Sequence, residues 1–226
     1  MGLTMLEEHS RLSEASRSRG TVHIIPISIV ILLLISVNPS QASDFESSWE
    51  VVESGTSEDL LTATENGGVI WAFGTGGVMV QSADNGITWA TFDSPTTSDI
   101  LNSDSGFGSL LVSGESGLML LMKSGDESWT DISLPAGANV NGISLTSSET
   151  AVAVGPHGTI WSLDEGVWTE TNLSIDSDLL EVSFLDDSLG IVVGSDGTIL
   201  FSDDGGESWE YREAPEGAGD SEIVSV

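Results

Sequence analysis

Outside its first 43 residues this 226-residue chain has a single histidine, His157, set in the turn Gly155-Pro156-His157-Gly158. An imidazole can serve as a general base or a metal ligand near neutral pH. No Ser, Cys or second His stands at a spacing that would complete a nucleophilic relay around it, and the chain has no cysteine at all. Carboxylates are far more plentiful. Asp176 with Asp178, Asp186-Asp187 and Asp203-Asp204 could ligate Ca²⁺ through oxygen, but none matches a cation-loop template. These pairs read as turn and surface acids. No catalytic residue, no cofactor and no metal site is expected, with calcium at the acid pairs as the alternative.

The charge balance narrows the partners. Totals are 36 acidic and 5 fixed basic side chains, and three of each fall before Ser43, so residues 44–226 carry 33 acids against Lys123 and Arg212 alone. Affinity for phosphate backbones is built from Lys and Arg, which excludes nucleic acid as a partner. Such a surface repels itself at low ionic strength and is relieved by salt, as suits the acidic coat of a secreted protein in a saline habitat.

Five tryptophans mark the elements that must position these groups. Trp49, Trp89, Trp129, Trp168 and Trp209 are spaced 40, 40, 39 and 41 residues apart. Four of them close a common phrase. It is complete in Ser82, Asp84, Gly86, Thr88, Trp89 and again in Ser202, Asp204, Gly206, Ser208, Trp209. Ser124, Asp126, Trp129 and Ser162, Asp164, Gly166, Trp168 are degraded copies. In a tight turn an Asp accepts bonds from its own downstream amides, Gly supplies positive φ, and Ser or Thr adds a local hydroxyl bond. The Trp then buries a large ring between neighbouring units.

A period near 40 with frequent turn signals indicates the four-stranded antiparallel blades of a β-propeller. In the clearest blade the strands are expected at Leu179–Phe184 (innermost), Gly190–Val193, Thr198–Phe201 and Ser208–Tyr211. The blade before it is expected at Val140–Leu145, Ala151–Val154, Thr159–Leu163 and Val167–Thr171. Each third strand follows a glycine pair, Gly74/Gly77, Gly114/Gly117, Gly155/Gly158 or Gly194/Gly197. Runs such as Ala151-Val152-Ala153-Val154 do not alternate, which suits strands packed on both faces. Complete blades are expected over 60–98, 99–138, 139–177 and 178–213. Partial blades would flank them, with Ser48–Glu53 as an outermost strand and Glu222–Val226 as an innermost one.

The repeated Ser-x-Asp-x-Gly-x-(Ser/Thr)-Trp phrase resembles the Asp-box (BNR-type) propellers. Val193–Trp209 is more specifically similar to the repeat of the photosystem II assembly and stability factor propellers and their non-photosynthetic relatives, over about residues 44–226. The resemblance implies a seven-bladed ring, of which this chain supplies an open arc of four complete blades. It also implies a protein-binding or assembly scaffold, with a carbohydrate-binding or glycoside-hydrolase propeller as the alternative. Sialidases share the Asp box but hold the substrate carboxylate with several arginines, and 44–226 has only Arg212. Glycosidases of this kind place two acids on long, aromatic-rich inserts; the blade spacing here leaves no room for them. In the photosynthetic members a basic patch serves partner binding, and this chain has none. The expected protein is therefore not an enzyme.

Residues 1–43 differ in kind. Arg17 and Arg19 precede the apolar run Val22–Val37, about 16 residues, short beside the roughly 20 of a spanning helix and adequate for a signal core. Ser40-Gln41-Ala42 offers a cleavage site; uncleaved, residues 22–37 would be a membrane anchor. The charge asymmetry puts 44–226 outside the cytoplasm either way, with an envelope or secreted protein as partner. Asn172-Leu173-Ser174 is an acceptor sequon on an exposed connection.

Overall fold

The computed structural model describes residues 51–212 apart from Ala136. These residues form four antiparallel sheets of four strands, each a simple meander. The first holds β1 (Leu60–Asn66), β2 (Val69–Gly74), β3 (Met79–Ser82) and β4 (Ala90–Phe92). The second holds β5 (Ile100–Gly106), β6 (Ser109–Gly114), β7 (Met119–Met122) and β8 (Thr130–Asp131). β9 (Gly142–Leu145), β10 (Ala151–Val154), β11 (Thr159–Asp164) and β12 (Val167–Asn172) make the third, and β13 (Leu179–Phe184), β14 (Gly190–Gly194), β15 (Ile199–Ser202) and β16 (Glu210–Arg212) the fourth. First strands lie beside one another in the order β1, β5, β9, β13. The sheets thus radiate as propeller blades from an inner row.

Burial on both faces explains the unbroken apolar runs. Successive side chains of a strand point to opposite faces. In β10, Ala151 and Ala153 join Leu111, Met119, Leu121 and Trp161 in the seam with the second blade. Val152 and Val154 join Leu179, Val182, Val192 and Leu200 in the seam with the fourth. The first seam holds Trp71, Phe73, Met79, Leu110, Val112 and Leu120, with Trp71 and Phe73 meeting the Trp129 ring edge-on at 6.3 and 5.9 Å. Trp129, Trp168 and Trp209 each pack on the side of their blade that faces the preceding one. Full burial of one such aliphatic or aromatic side chain stabilises by about 1.5–3 kcal/mol.

The paired glycines have a steric cause. The first of each pair, at 74, 114, 155 and 194, lies against the backbone carbonyl of Asp59, Asp99, Asn139 or Asp178, and a Cβ there would run into that oxygen. The close approach lets Thr75 N donate to Asp59 O at 2.9 Å, Glu115 N to Asp99 O at 3.1 Å and Ser195 N to Asp178 O at 2.8 Å. Pro156 takes the donor position in the third blade and has no N–H to give. The register shifts that follow Leu60, Ile100 and Leu179 accompany this hydrogen bond, and β9, whose blade keeps the glycine contact but lacks the bond, begins only at Gly142 rather than Val140.

Two further differences from the sequence reading have physical reasons. β16 starts at Glu210 rather than Ser208, because the Ser208 amide is committed to the Asp204 carboxylate. Val51–Glu53, expected to be part of an outermost strand, are not strand; Val51 is fully exposed, and no pairing strand lies beside these residues among those described. The rest of that expected strand, the innermost strand expected at Glu222–Val226, the N-terminal segment and the closure of the ring lie outside the described residues.

Gly114→Ala should lower the unfolding free energy by about 1–3 kcal/mol, since backbone must move to admit the methyl. Gly106→Ala, whose Cβ would meet only Leu145 Cβ at 3.8 Å, should change it by less than about 0.5 kcal/mol. Urea melts of the two variants check this, and equal losses would contradict the steric reading.

Candidate functional site

In the two complete phrases the turn is built identically. Ser82 Oγ accepts from Gly86 N at 2.8 Å and donates to Asp84 Oδ1 at 2.8 Å; the same bonds in the second copy are 2.8 Å from Gly206 N to Ser202 Oγ and 2.9 Å from Ser202 Oγ to Asp204 Oδ1. Asp84 then takes Thr88 N at 2.8 Å and Thr88 Oγ1 at 2.6 Å, and Asp204 takes Ser208 N at 2.9 Å and Ser208 Oγ at 2.6 Å. Gly86 and Gly206 have φ of 84° and 91°, the left-handed region in which a side chain is strained. The hydroxyl of Thr88 or Ser208, then its amide, holds each Asp below the ordinary carboxylate range. The buried member is the serine: Ser82 and Ser202 are 1 % exposed, while Asp204 lies in solvent.

The degraded copies fold differently. Asp164 pairs with Val167 across a two-residue Glu165-Gly166 turn with φ of 48° and 78°, a tight hairpin that lengthens β11 and β12 in place of the Asp-centred turn. Ser162 there pairs with Thr169. In the second blade Asp126 N donates to Lys123 O at 2.9 Å, and among the described residues neither Ser124 nor the Asp126 carboxylate makes the turn bonds of the complete copies. Trp168 and Trp129 keep their places in the seams regardless. Trp168 Nε1 donates to Ile132 O at 2.6 Å, whereas the indole N–H groups of Trp129 and Trp209 are buried without a partner among the described residues.

His157 is a turn residue. Its φ is 54°, its amide donates to Asp178 Oδ1 at 3.0 Å, and Asn172 Nδ2 donates to its carbonyl at 2.9 Å. That last bond occupies the sequon side chain. The ring is largely exposed, with Nδ1 3.8 Å from Asp178 Oδ1. Asp186 accepts from Leu189 N at 2.7 Å and from Ser188 N and Oγ at 2.9 Å, which lowers its pKa and accounts for it as a turn cap. Asp203 is an exposed neighbour of the Asp204 turn. Among the described residues no three His, Asp or Glu side chains converge as a cation site requires.

One polar seam escaped the sequence reading. Residues 64, 104, 144 and 183 occupy matching places on the inner strands, as Thr, Asp, Ser and Ser. Leu145 N donates to Asp104 Oδ2 at 2.7 Å, Ser144 Oγ donates to the same oxygen at 3.3 Å, and Phe184 N donates to Ser144 Oγ at 3.2 Å. These bonds tie blades two, three and four. Thr62 with Ser103 at 2.8 Å, and Thr64 with Ser105 at 2.6 Å, tie blades one and two. Desolvation raises the pKa of Asp104, and desolvation followed by the Asp104 charge raises that of Glu181. The bonds that reach Asp104 from Ser144 and Leu145 come from the neighbouring inner strand, so the seam reads as a fastening.

At one end of the blades a depression of about 570 Å³ spans blades two, three and four, lined by Leu101, Glu115, Asn139, Asn141, Pro156 and Asp178 among others. It is open and mostly polar, and no Lys or Arg lines it. Its walls are the short turns and connections fixed by the glycine contacts.

Four radial antiparallel blades with two complete Asp boxes define an Asp-box β-propeller. Residues 160–226 match the family described as photosynthesis system II assembly factor YCF48, so this stretch of the chain is similar to that family. Among solved structures, YCF48 bound to D1 peptide is 15% identical with a TM-score of 0.57, over 73% of this chain and 57% of that one. YCF48 from Cyanidioschyzon merolae is 13% identical with a TM-score of 0.55, over 72% and 61%. A catalytically inactive virginiamycin B lyase from Staphylococcus aureus with quinupristin is 12% identical with a TM-score of 0.63, over 76% and 61%. The chain thus spans about three-fifths of the length of these proteins, and at such identities the likeness shows the fold. A comparison with curated proteins returns no match.

Removing the buried and the exposed member of one box should have different effects. Ser202→Ala leaves the buried Gly206 amide unpaired and should cost about 1–3 kcal/mol. Asp204→Ala releases groups that water can reach and should cost less. Because the folded pKa of Asp204 is lowered, its contribution is present above its unfolded value of about 3.9 and is lost as pH falls through the folded value. Chemical melts from pH 7 toward pH 3 should therefore bring Asp204→Ala toward wild type while the Ser202→Ala deficit persists. A larger neutral-pH loss for Asp204→Ala would contradict this assignment.

Proposed function

We propose that this protein is a non-enzymatic binding scaffold, exported from the cytoplasm and tethered by residues 22–37 or released after Ala42, that recruits an envelope or secreted protein on its acidic propeller face. The observation that carries the reading is the open depression across three blades, with Glu115 and Asp178 in its lining and no fixed cation. A rigid wall of short turns suits an extended segment of a partner that needs no deep pocket. Charge complementarity then selects a segment bearing Lys or Arg, and an acidic chain of net charge −31 would steer it by long-range attraction. That a solved structure of similar fold is described as YCF48 bound to D1 peptide supports peptide recognition as the use of this scaffold. The opposite sign of charge makes the partner a different one from that of a basic-patch propeller.

The carbohydrate alternative draws no support from a stacking platform, since Trp71 and Trp161 are both 5 % exposed within the seams. Glu115 is exposed, and its known role in the fold is through its backbone amide, so its side chain can be changed without touching the seam.

The full protein should bind extended Lys/Arg-containing peptides more tightly than length-matched neutral ones, and Glu115→Lys should weaken them roughly three- to tenfold at low salt. Fluorescence anisotropy across a salt series measures this. Equal affinity for neutral peptides, or no change in Glu115→Lys, would remove this face as the docking site.

A further inference from the structure

The outermost strands of the four blades are unequal. β4, β8 and β16 have three, two and three residues, whereas β12 has six. In the complete boxes the turn carboxylate holds the amide of the residue before the Trp, Thr88 or Ser208, so the strand starts only beyond the ring. Blade three has lost that hydroxyl residue. Its Glu165-Gly166 hairpin lets pairing start at Val167 itself and run without a shift to Asn172. A sheet edge of this length is a template on which another chain can pair.

Antiparallel partners alternate between pairs that exchange both backbone bonds and pairs that exchange none. Leu173 N donates to Gly158 O at 3.1 Å, and two-residue steps from that pair carry the bonded positions to Thr171, Thr169 and Val167. Trp168, Glu170 and Asn172 therefore aim their N–H and C=O groups away from β11. Among the described residues none of these six groups has a hydrogen-bond partner. β12 is exposed at every residue but Trp168, and it carries no Pro, no Lys and no bulge, the usual guards of an edge. Val167, Thr169 and Thr171 are β-branched, which suits an extended neighbour.

We infer that β12 is a strand-addition site, at which an extended segment of another protein pairs with Trp168, Glu170 and Asn172 and sets a Lys or Arg opposite Glu170. Strand addition draws affinity from backbone bonds and specificity from alternate side chains. Here the specificity is a charge. Glu170 Oε2 accepts from Trp161 Nε1 at 3.1 Å, which anchors the carboxylate on the sheet and leaves Oε1 for a cation on the added strand. The same residue opposes a second copy of this chain. The antiparallel register that pairs all three outward residues of two copies puts Glu170 opposite Glu170, and like charges directly opposed destabilise. No residue of β12 lines the depression, so the inference holds whether or not that face binds a peptide.

Titration of the full protein with acetyl-Thr-Val-Lys-Val-Thr-amide in moderate salt, read by residue-resolved amide exchange, tests this. At saturation the amides of Trp168, Glu170 and Asn172 should exchange at least about tenfold more slowly, while those of Thr169 and Thr171, already bonded to β11, change little. N-methylation of the peptide's lysine amide removes the donor to the Glu170 carbonyl and should weaken binding about tenfold. Glu170→Gln keeps an acceptor for Trp161 and should weaken it about three- to tenfold. Glu115→Lys should leave it within about twofold, since salt screens the distant depression. Unchanged exchange at the three amides, equal binding of the N-methylated peptide, or loss of binding in Glu115→Lys would each overturn the inference. So would protection of the three amides without peptide that falls on dilution, which would make a second copy the occupant.

Discussion

Three of the four inner strands begin directly after a connecting carbonyl that presses against a glycine, and the rest of the blade depends on that contact. At Asp99 the carbonyl accepts from Glu115 in its own blade while the carboxylate accepts from Gly76 in the blade before. Asp178 does the same with Ser195 and His157. One residue thereby fixes both the entry of its own sheet and its placement against the neighbour. A side chain at Gly114 or Gly194 would separate these two bonds by pushing the connection outward.

Polar contacts fix geometry at the seams, while apolar burial supplies most of their stability. A satisfied hydrogen bond contributes about 0.5–1.5 kcal/mol net, and each fully buried Leu, Val or Phe about 1.5–3 kcal/mol. The first seam alone buries Trp71, Phe73, Met79, Ile100, Leu110, Val112 and Leu120. Against that, the Asp104 and Ser144 bonds act chiefly to choose one sliding position of blade on blade. Asp104 bears a desolvation cost for this role, visible in its raised pKa. The depression inherits its shape from the same contacts, since Glu115, Asn139 and Asp178 are all residues of the glycine junctions or their immediate neighbours.

Much of this was legible in the sequence because the repeat is written in residues with one conformational use. Trp at intervals near 40, Gly where φ is positive and Asp in a turn announced the blades, and β10 and β13 begin and end as expected. The glycine pairs were visible, but the carbonyl that makes the first glycine of each pair obligatory comes from a residue some fifteen positions away. Asp104 and Glu181 were hidden for a related reason: one acid among 36 becomes special only when blade register brings it beside Ser144 and Leu145. Asp164 kept its letter and lost its role once Glu165-Gly166 could close the hairpin directly. Val51–Glu53 shows the converse, since a periodic position makes a strand only where a neighbour offers its backbone.

If the seams rather than the individual sheets hold this propeller, no blade is stable alone. Differential scanning calorimetry of the full protein in moderate salt tests that most directly. A single transition whose calorimetric and van't Hoff enthalpies agree is the expected result. Two or more separated transitions, each of about one blade's enthalpy, would contradict it.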